Sequence, residues 1–127
     1  KTDMKKLLTI VLLLVAMTSY SQDGVILDIK GMCSLESGQT SFSDWEEFSG
    51  KIMCNDEKIT FFLKTKIIIY VITVDQVSEI KWEIEALDPD IGTVYVDMSY
   101  DEEKDTWFVT MMYDMFSIMY ACDFVNR

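Results

Sequence analysis

The sequence predicts an all-β domain, an antiparallel up-and-down meander of about seven to eight strands that forms a small barrel-like roll or a sandwich. Two observations predict it. From residue 50 onward, apolar residues recur at every second position in runs rich in β-branched and aromatic side chains, which is typical of strands. The connectors between these runs are short and polar, and connectors of that length join only antiparallel neighbours. We favour the barrel-like roll because closure removes exposed strand edges.

The segment 80–87 shows the two-residue period most clearly. Its side chains divide into an apolar face and a charged face: Ile80, Trp82, Ile84 and Ala86 against Lys81, Glu83 and Glu85. One face is therefore core and the other faces water. The other predicted strands are residues 51–54, 58–63, 67–73, 93–100, 106–113 and 116–124, with residues 25–29 as an eighth if they pair. The stretch 31–43 contains glycine and serine and is predicted to be a loop.

The start of the chain has the layout of a secretory signal peptide. Two lysines after Met4 precede an apolar stretch, residues 7–17, and the small residues Ser19 and Ser21 suit a signal peptidase. The apolar stretch is about half of the roughly 20 residues that a helix needs to cross a bilayer. We therefore predict cleavage after Ser21 and export to the periplasm or the outside of a Gram-negative bacterium, with no stable membrane anchor afterwards. The alternative is an uncleaved anchor or a buried helix.

Two segments follow from this division. Residues 1–21 are upstream residues and signal peptide, and residues 22–127 are one domain, since about 106 residues is a common domain size. Within that domain we expect an irregular N-terminal segment at 22–44 and the meander at 45–127.

The net charge indicates the kind of partner. The sequence has 11 Lys and Arg and 22 Asp and Glu, and three of the lysines and one aspartate lie in the first 21 residues. The predicted mature chain therefore has 8 basic and 21 acidic residues, a formal net charge near −13. Such a surface repels nucleic acids and anionic lipids and favours a basic protein partner, although solubility accounts for the same charge. The predicted interaction residues project into water: Glu83, Glu85, Asp101, Glu102 and Glu103.

The sequence lacks most of the residues and motifs that enzymes use for catalysis. It has no histidine, the usual general base, serine activator and zinc ligand. It has no Gly-rich phosphate loop and no Cys-x-x-Cys pair. Glu83 and Glu85 share one strand face, which is poor geometry for enclosing a glycosidic bond. We predict a protein without catalytic residues and without a cofactor, and a carboxylate-based enzyme is the least favoured alternative.

The segment 88–92, Asp-Pro-Asp-Ile-Gly, has the D-x-D opening of a calcium loop. An EF-hand loop needs glycine at position six and glutamate at position twelve, whereas this chain has Gly92 at position five and Ser99 at position twelve. A β-turn in which Pro89 fixes φ and Gly92 supplies positive φ explains the same residues. We therefore predict a turn here and no metal site.

Two runs, 67–72 and 111–120, are apolar on both faces, so the N-terminal segment, a partner or a ligand is expected to cover the second face unless these runs are simply core. The predicted apolar contact surface consists of Met111, Met112, Met115 and Phe116. The alternative function is a small barrel that binds an apolar ligand among Phe61, Phe62, Met111 and Met112.

The sequence has three cysteines: Cys33, Cys54 and Cys122. At most two of them form a disulfide, and the sequence leaves the pairing open.

Several short motifs together suggest a family. They are the leader ending Ser-Tyr-Ser-Gln, Trp45 with Gly50-Lys51-Ile52, Asn55-Asp56 with Lys58-Ile59-Thr60, Trp82 before an Asp-rich turn, and Tyr113-Asp114-Met115 with Tyr120. The set resembles small secreted proteins of unknown function from Bacteroidetes-type bacteria, over most of the chain after Trp45. The chain departs from that pattern in an extra segment, 25–40, and in Ile91-Gly92 where the family has an Asp-Gly turn. The resemblance implies an exported β-rich fold and supplies no activity, cofactor or site.

Expression of the full sequence in a Gram-negative host tests the signal peptide. We expect the product to have lost residues 1–21, because a peptidase cleaves after Ser21. Intact-mass spectrometry measures the loss. In the control, Lys5→Glu with Lys6→Glu removes the positive charge ahead of the apolar stretch. This variant should not be exported and should keep residues 1–21. A full-length wild-type product in the cytosol contradicts the prediction.

Overall fold

The structure is a computed structural model, and it describes residues 25–125. Eight antiparallel strands follow one another: β1 (Val25–Glu36), β2 (Glu46–Cys54), β3 (Lys58–Phe62), β4 (Lys66–Ser78), β5 (Lys81–Asp88), β6 (Gly92–Asp101), β7 (Thr106–Met112) and β8 (Phe116–Phe124). Each strand pairs with the next, and β1 pairs with β8 to close a barrel. The predicted all-β meander is confirmed, and of barrel and sandwich it is the barrel. The predicted signal peptide lies outside the described residues.

The connections define two ends of the barrel. Because successive strands run in opposite directions, the β2–β3, β4–β5 and β6–β7 turns lie at one end, which we call the upper end. The β3–β4, β5–β6 and β7–β8 turns and the β1–β2 loop lie at the lower end. Within the described range, no helix is long and apolar enough to cross a membrane.

Strand β5 shows how alternation builds the core. Trp82, Ile84 and Ala86 are at most 2% exposed and face the interior, while Glu83 between them is exposed on the outer face. The two predicted faces of this strand are therefore confirmed. Each large side chain buried in this way stabilises the fold by about 1.5–3 kcal/mol.

Aromatic rings fill the interior next to β5. The ring centroids of Trp82 and Trp107 lie 5.8 Å apart, and those of Trp107 and Tyr100 lie 5.2 Å apart, both within the range of favourable aromatic contacts. The indole Nε1 of Trp82 is buried and has no hydrogen-bond partner among residues 25–125. Because an unpaired buried donor costs about 1–3 kcal/mol, Trp82 stabilises the barrel by packing rather than by polar contact.

Strand β1 corrects the expectation that residues 22–44 are irregular and that 31–43 is a loop. The strand extends from Val25 to Glu36 and pairs with both β2 and β8. Its register shifts between Ile29 and Gly31 on both sides, which marks a bulge. Leu27 is core before the bulge, and Met32 packs on the core after it. Gly31 and Cys33 are also buried, so burial continues at odd positions through the bulge. The glycine and serine residues that predicted a loop therefore lie within a paired strand as far as Glu36.

Gly31 explains how the chain between β1 and β2 packs. A Cβ atom at Gly31 would lie 3.3 Å from the carbonyl oxygen of Glu46 and 3.7 Å from Cε3 of Trp45. The missing side chain lets Trp45 approach the strand, and the Trp45 ring also contacts Phe108 with centroids 5.8 Å apart. Trp45 is the expected first residue of the meander, and it directly precedes β2.

Strands β2 and β4 also extend several residues beyond their predicted bounds. Strand β2 begins at Glu46 rather than at residue 51, and β4 continues to Ser78 rather than ending at residue 73. The added part of β4 has bulges between Val71 and Thr73 and between Gln76 and Ser78, which disturb its alternation. Strand β8 agrees with the predicted residues 116–124.

The substitution Trp82→Asp tests the core. We expect it to abolish cooperative unfolding, because losing a buried indole costs about 3–5 kcal/mol and the unpaired charge adds several more, against a total stability of about 5–15 kcal/mol. Far-UV circular dichroism with thermal melting measures this. The control Thr93→Asp places the same charge at an exposed position of β6 and should change stability by about 0.5 kcal/mol or less. A Trp82→Asp protein that melts as the wild type does would place Trp82 outside the core.

Candidate functional site

Three carboxylates lie side by side on the outer face of the barrel. Asp75 of β4 is opposite Glu83 of β5, and Glu83 is opposite Asp97 of β6. Directly opposite side chains in a sheet have Cβ atoms about 4.5–5.5 Å apart, and like charges in such pairs are destabilising by roughly 0.2–1 kcal/mol. We call this set the carboxylate row. It is an arrangement that the fold sustains at a cost.

One lysine reaches the carboxylate row. The Nζ atom of Lys81 lies 3.5 Å from Oδ2 of Asp97 and 4.0 Å from Oε2 of Glu83. The Lys81 side chain is 40% exposed, so water screens these ion pairs and they add little to stability. A single lysine offsets one of three carboxylates, and the row keeps a formal charge of −2.

The carboxylate row forms one wall of a shallow groove of about 510 Å³ across β4, β5, β6 and β7. A second row lies next to it, in which Glu85 faces Thr73 on one side and Tyr95 on the other, and Tyr95 faces Met112. The outward side chains that line this acidic groove are Thr73, Asp75, Glu83, Glu85, Tyr95, Asp97 and Met112. The groove thus combines four carboxylates with an exposed aromatic ring and a thioether.

Charge is distributed unevenly around the barrel. Residues 67–115, which include most of β4 and all of β5, β6 and β7, contain twelve acidic residues and two lysines, a formal charge of −10. Residues 25–66 contain seven acidic residues and five lysines, a formal charge of −2. Two of those lysines form surface ion pairs, Lys30 with Asp123 and Lys51 with Asp28. The negative potential is therefore concentrated on the side of the barrel that carries the acidic groove.

The predicted interaction residues fall into two places. Glu83 and Glu85 line the acidic groove, whereas Asp101, Glu102 and Glu103 lie at the upper end, where β6 leads to β7. The Asp101 carboxylate accepts hydrogen bonds from the backbone N–H groups of Glu103 at 3.0 Å and Lys104 at 3.2 Å. Asp101 therefore shapes its turn, and Glu103 is the exposed residue of the three.

The predicted apolar contact surface does not form one surface. Met111 is 2% exposed and belongs to the core, while its neighbour Met112 faces outward in the acidic groove. Met115 is 67% exposed in the lower turn between β7 and β8. Phe116 stacks on Tyr113 with ring centroids 4.7 Å apart. The same alternation separates Phe61, which is buried, from Phe62, which is exposed, so the four residues proposed to surround an apolar ligand do not share a cavity.

The segment 88–92 forms the predicted turn. The Ile91 N–H donates to the carbonyl oxygen of Asp88 at 3.2 Å, and Gly92 has φ of 119°, the positive value that glycine allows. Oδ1 of Asp88 accepts the Asp90 N–H at 2.9 Å, and Oδ2 accepts the Tyr113 hydroxyl at 3.1 Å. Burial and the Asp88 carboxylate raise the pKa of Tyr113 well above its usual value. Both Asp88 oxygens thus hold the lower end of the barrel together, and no cluster of three or more acidic or cysteine side chains in residues 25–125 is arranged for a metal ion.

All three cysteines are buried free thiols. Burial raises the pKa of Cys54 from its ordinary 9.0 to about 12. Burial, followed by the nearby Cys54, raises the pKa of Cys122 further still. Since the thiolate is the reactive form, these cysteines are inert as nucleophiles near neutral pH.

Sequence reasoning missed two members of the carboxylate row. Asp97 lies in the predicted strand 93–100, at a position where the two-residue period points outward. The period could therefore have identified it. Asp75 lies beyond the predicted end of β4 at residue 73, and the bulge at Ile72 hides its alternation. Its only sequence signal is the β-branched character of the residues around it.

The fold and the groove define a class: a small, closed eight-stranded antiparallel barrel with an acidic outer face. No protein-family model, curated protein or solved structure matches the chain. The resemblance to small secreted Bacteroidetes-type proteins therefore stays a prediction.

Thiol reactivity tests the burial of the cysteines. We expect no reaction of the folded protein with a chromogenic disulfide reagent near pH 8 and reaction of three thiols in denaturant. Burial raises the folded-state pKa of Cys54. The contribution of this thiol to the free energy of unfolding is therefore fully present below its unfolded pKa of 9.0 and is lost as pH rises from there towards about 12. Denaturant titrations across that range should show a smaller decrease for Cys54→Val. Rapid labelling of the folded protein contradicts the buried placement.

Proposed function

We propose that this chain is an exported, non-catalytic interaction module that binds a basic protein through the acidic groove. The periplasm or the cell exterior of a Gram-negative bacterium is its proposed location. The carboxylate row carries the proposal. Asp75, Glu83 and Asp97 repel one another in the free protein, and lysine or arginine side chains of a partner would relieve that repulsion.

The uneven charge favours recognition over solubility alone. A charge that serves only solubility needs no particular position and is effective when it is spread over the surface. Here the side of the barrel with the groove has a formal charge of −10 against −2 for residues 25–66. A concentrated field accelerates the encounter with a basic partner and orients it.

The apolar groups of the groove suit the same partner. Tyr95 is 53% exposed and Met112 is 36% exposed, and Tyr95 lies between Glu85 and Met112 in the second row. An arginine of the partner can pair with a carboxylate and stack on the Tyr95 ring, and its aliphatic stem can contact Met112. Binding surfaces rely on such aromatic positions for much of their affinity.

A second candidate function rests on a cleft of about 420 Å³ at the lower end. Its apolar lining includes Ile67, Met111, Phe116 and Ile118, and Tyr113 provides a hydroxyl at its edge. The charged residues Lys66, Asp88 and Asp90 also line this cleft. A mainly apolar wall with a small number of polar groups is typical of small-molecule sites. The barrel would then bind an apolar ligand there, and a native mass spectrum with a co-purified lipid would favour this function over the first.

A salt-dependent binding measurement tests the proposed function. We expect a labelled oligolysine peptide to bind the wild type at low ionic strength and to lose affinity steeply as salt increases. The triple variant Glu83→Gln, Glu85→Gln, Asp97→Asn should bind about tenfold or more weakly. It should also unfold at the same or a higher temperature, because it removes like-charge repulsion.

The matched control neutralises three exposed acidic residues elsewhere: Asp44→Asn, Glu46→Gln and Glu47→Gln. It removes the same charge and should weaken binding by about twofold at most, since these residues lie before β2 and at its start, outside the groove. Fluorescence anisotropy measures both variants. Equal weakening by the two triple variants would mean that net charge alone attracts the peptide, and the groove would have no special role.

A further inference from the structure

The upper half of β4 has an open edge. Strand β3 pairs with β4 only from Lys66 to Tyr70, whereas β5 pairs with β4 from Tyr70 to Ser78. The last backbone hydrogen bond on the β3 side is donated by the Val71 N–H to the carbonyl oxygen of Glu57 at 2.8 Å. Beyond it, no strand among residues 25–125 pairs with residues 72–78 on the β3 side, and β5 is their partner on the other side. We call this segment the open edge.

The open edge has the composition of a strand that pairs on both sides. Its sequence is Ile-Thr-Val-Asp-Gln-Val-Ser, in which four of seven residues are β-branched, and all seven are exposed. Ile72 is 55% exposed, Val74 45% and Val77 51%. Soluble proteins keep exposed edges short, charged or covered, because unpaired N–H and C=O groups are a template for another strand.

We infer that the basic partner binds by adding a strand to the open edge, through an extended segment in which apolar and basic residues alternate. This inference rests on the proposed function and adds the mode of recognition: backbone hydrogen bonds supply attachment, and alternate side chains supply specificity.

The register fixes the chemistry of the added strand. On the inner face of the sheet, Val74 is opposite Ile84 and Gln76 is opposite the core residue Trp82. A side chain of the added strand next to Val74 would extend that apolar layer. On the outer face, Asp75 is the first residue of the carboxylate row, so a side chain next to Asp75 would meet negative charge. Alternation of apolar and basic residues satisfies both faces at once.

A second copy of this chain does not fit the same edge. Antiparallel pairing of two open edges about their centre places Asp75 against Asp75, with both carboxylate rows meeting at one seam. Like charges directly opposite are destabilising, and each chain also carries a large net negative charge. The two bulges in this part of β4 oppose such pairing as well, since bulges disturb a regular edge. A basic strand would instead place positive charge opposite Asp75 and the carboxylate row, where it is attracted.

The probe is a synthetic peptide of alternating lysine and valine, as long as the open edge. We expect it to bind more tightly than a peptide of the same composition in which the lysines and valines form two blocks. We also expect amide hydrogen exchange, measured by NMR, to slow about tenfold or more at alternate residues of 72–78. Electrostatic contact in the groove would leave those amides unprotected.

A fully N-methylated form of the alternating peptide keeps the side chains and charges but donates no backbone hydrogen bond. We expect it to bind about tenfold more weakly and to leave amide exchange unchanged. If it binds as tightly as the parent, strand addition is wrong while recognition of a basic partner stands. If neither the alternating peptide nor oligolysine binds at low salt, the proposed function is wrong, and the inference fails with it.

A charge-neutral substitution separates the edge from the groove. Val74→Ser should weaken the alternating peptide about fivefold or more and leave oligolysine binding unchanged, because it alters only the apolar side of the edge. The matched control is Ile91→Ser, at another exposed apolar position, in the lower β5–β6 turn. Equal binding of the alternating peptide by both variants would overturn the proposed pairing at Val74. Thermal melting of both proteins checks that they remain folded.

Discussion

Closure of the barrel by β1 against β8 is the pairing on which the rest of the structure depends. The two strands align nine residue pairs between Leu27 and Glu36, across a bulge that both neighbours of β1 share. Closure gives every strand a neighbour on each side and fixes its register. Because a slip of one residue would exchange the two faces of a strand, the same constraint that encloses Trp82 and Trp107 also holds the carboxylate row on the outside.

Stability and the proposed recognition therefore depend on opposite faces of the same strands. In β5, Trp82 contacts the aromatic core while Glu83, the next residue, repels Asp75 and Asp97. The cost of that repulsion is at most about 1 kcal/mol for each pair, which is smaller than the contribution of one buried aromatic side chain. The barrel can carry an unfavourable charge arrangement on its surface without losing its fold, and substitutions on the outer face can change binding independently of folding.

The sequence predicted the strands in which apolar and polar residues alternate clearly, and it failed where glycine and serine suggested a loop or where bulges intervened. Strands β5 and β8 and the turn at 88–92 were predicted from the two-residue period and turn residues alone. In β1 the glycine and serine residues after residue 30 favoured a loop, although the strand continues to Glu36. In β4 two bulges hide the strand after residue 73. Of the groove, Glu83 and Glu85 were predicted, but a cross-strand row depends on register between strands, which periodicity within one strand does not determine.

The open edge has its origin in unequal strand lengths. Strand β3 has 5 residues and its neighbour β4 has 13, so closure can cover only the lower part of β4 on that side. A β4 that ended at Val71 would have lacked the open edge, and it would also have lacked Asp75 of the carboxylate row. The additional length therefore supplies two features together: unpaired backbone groups, and a third carboxylate next to Glu83. Since aggregation through an edge is a general hazard, an edge that ends in concentrated negative charge is protected from its own copies and remains open to a basic strand.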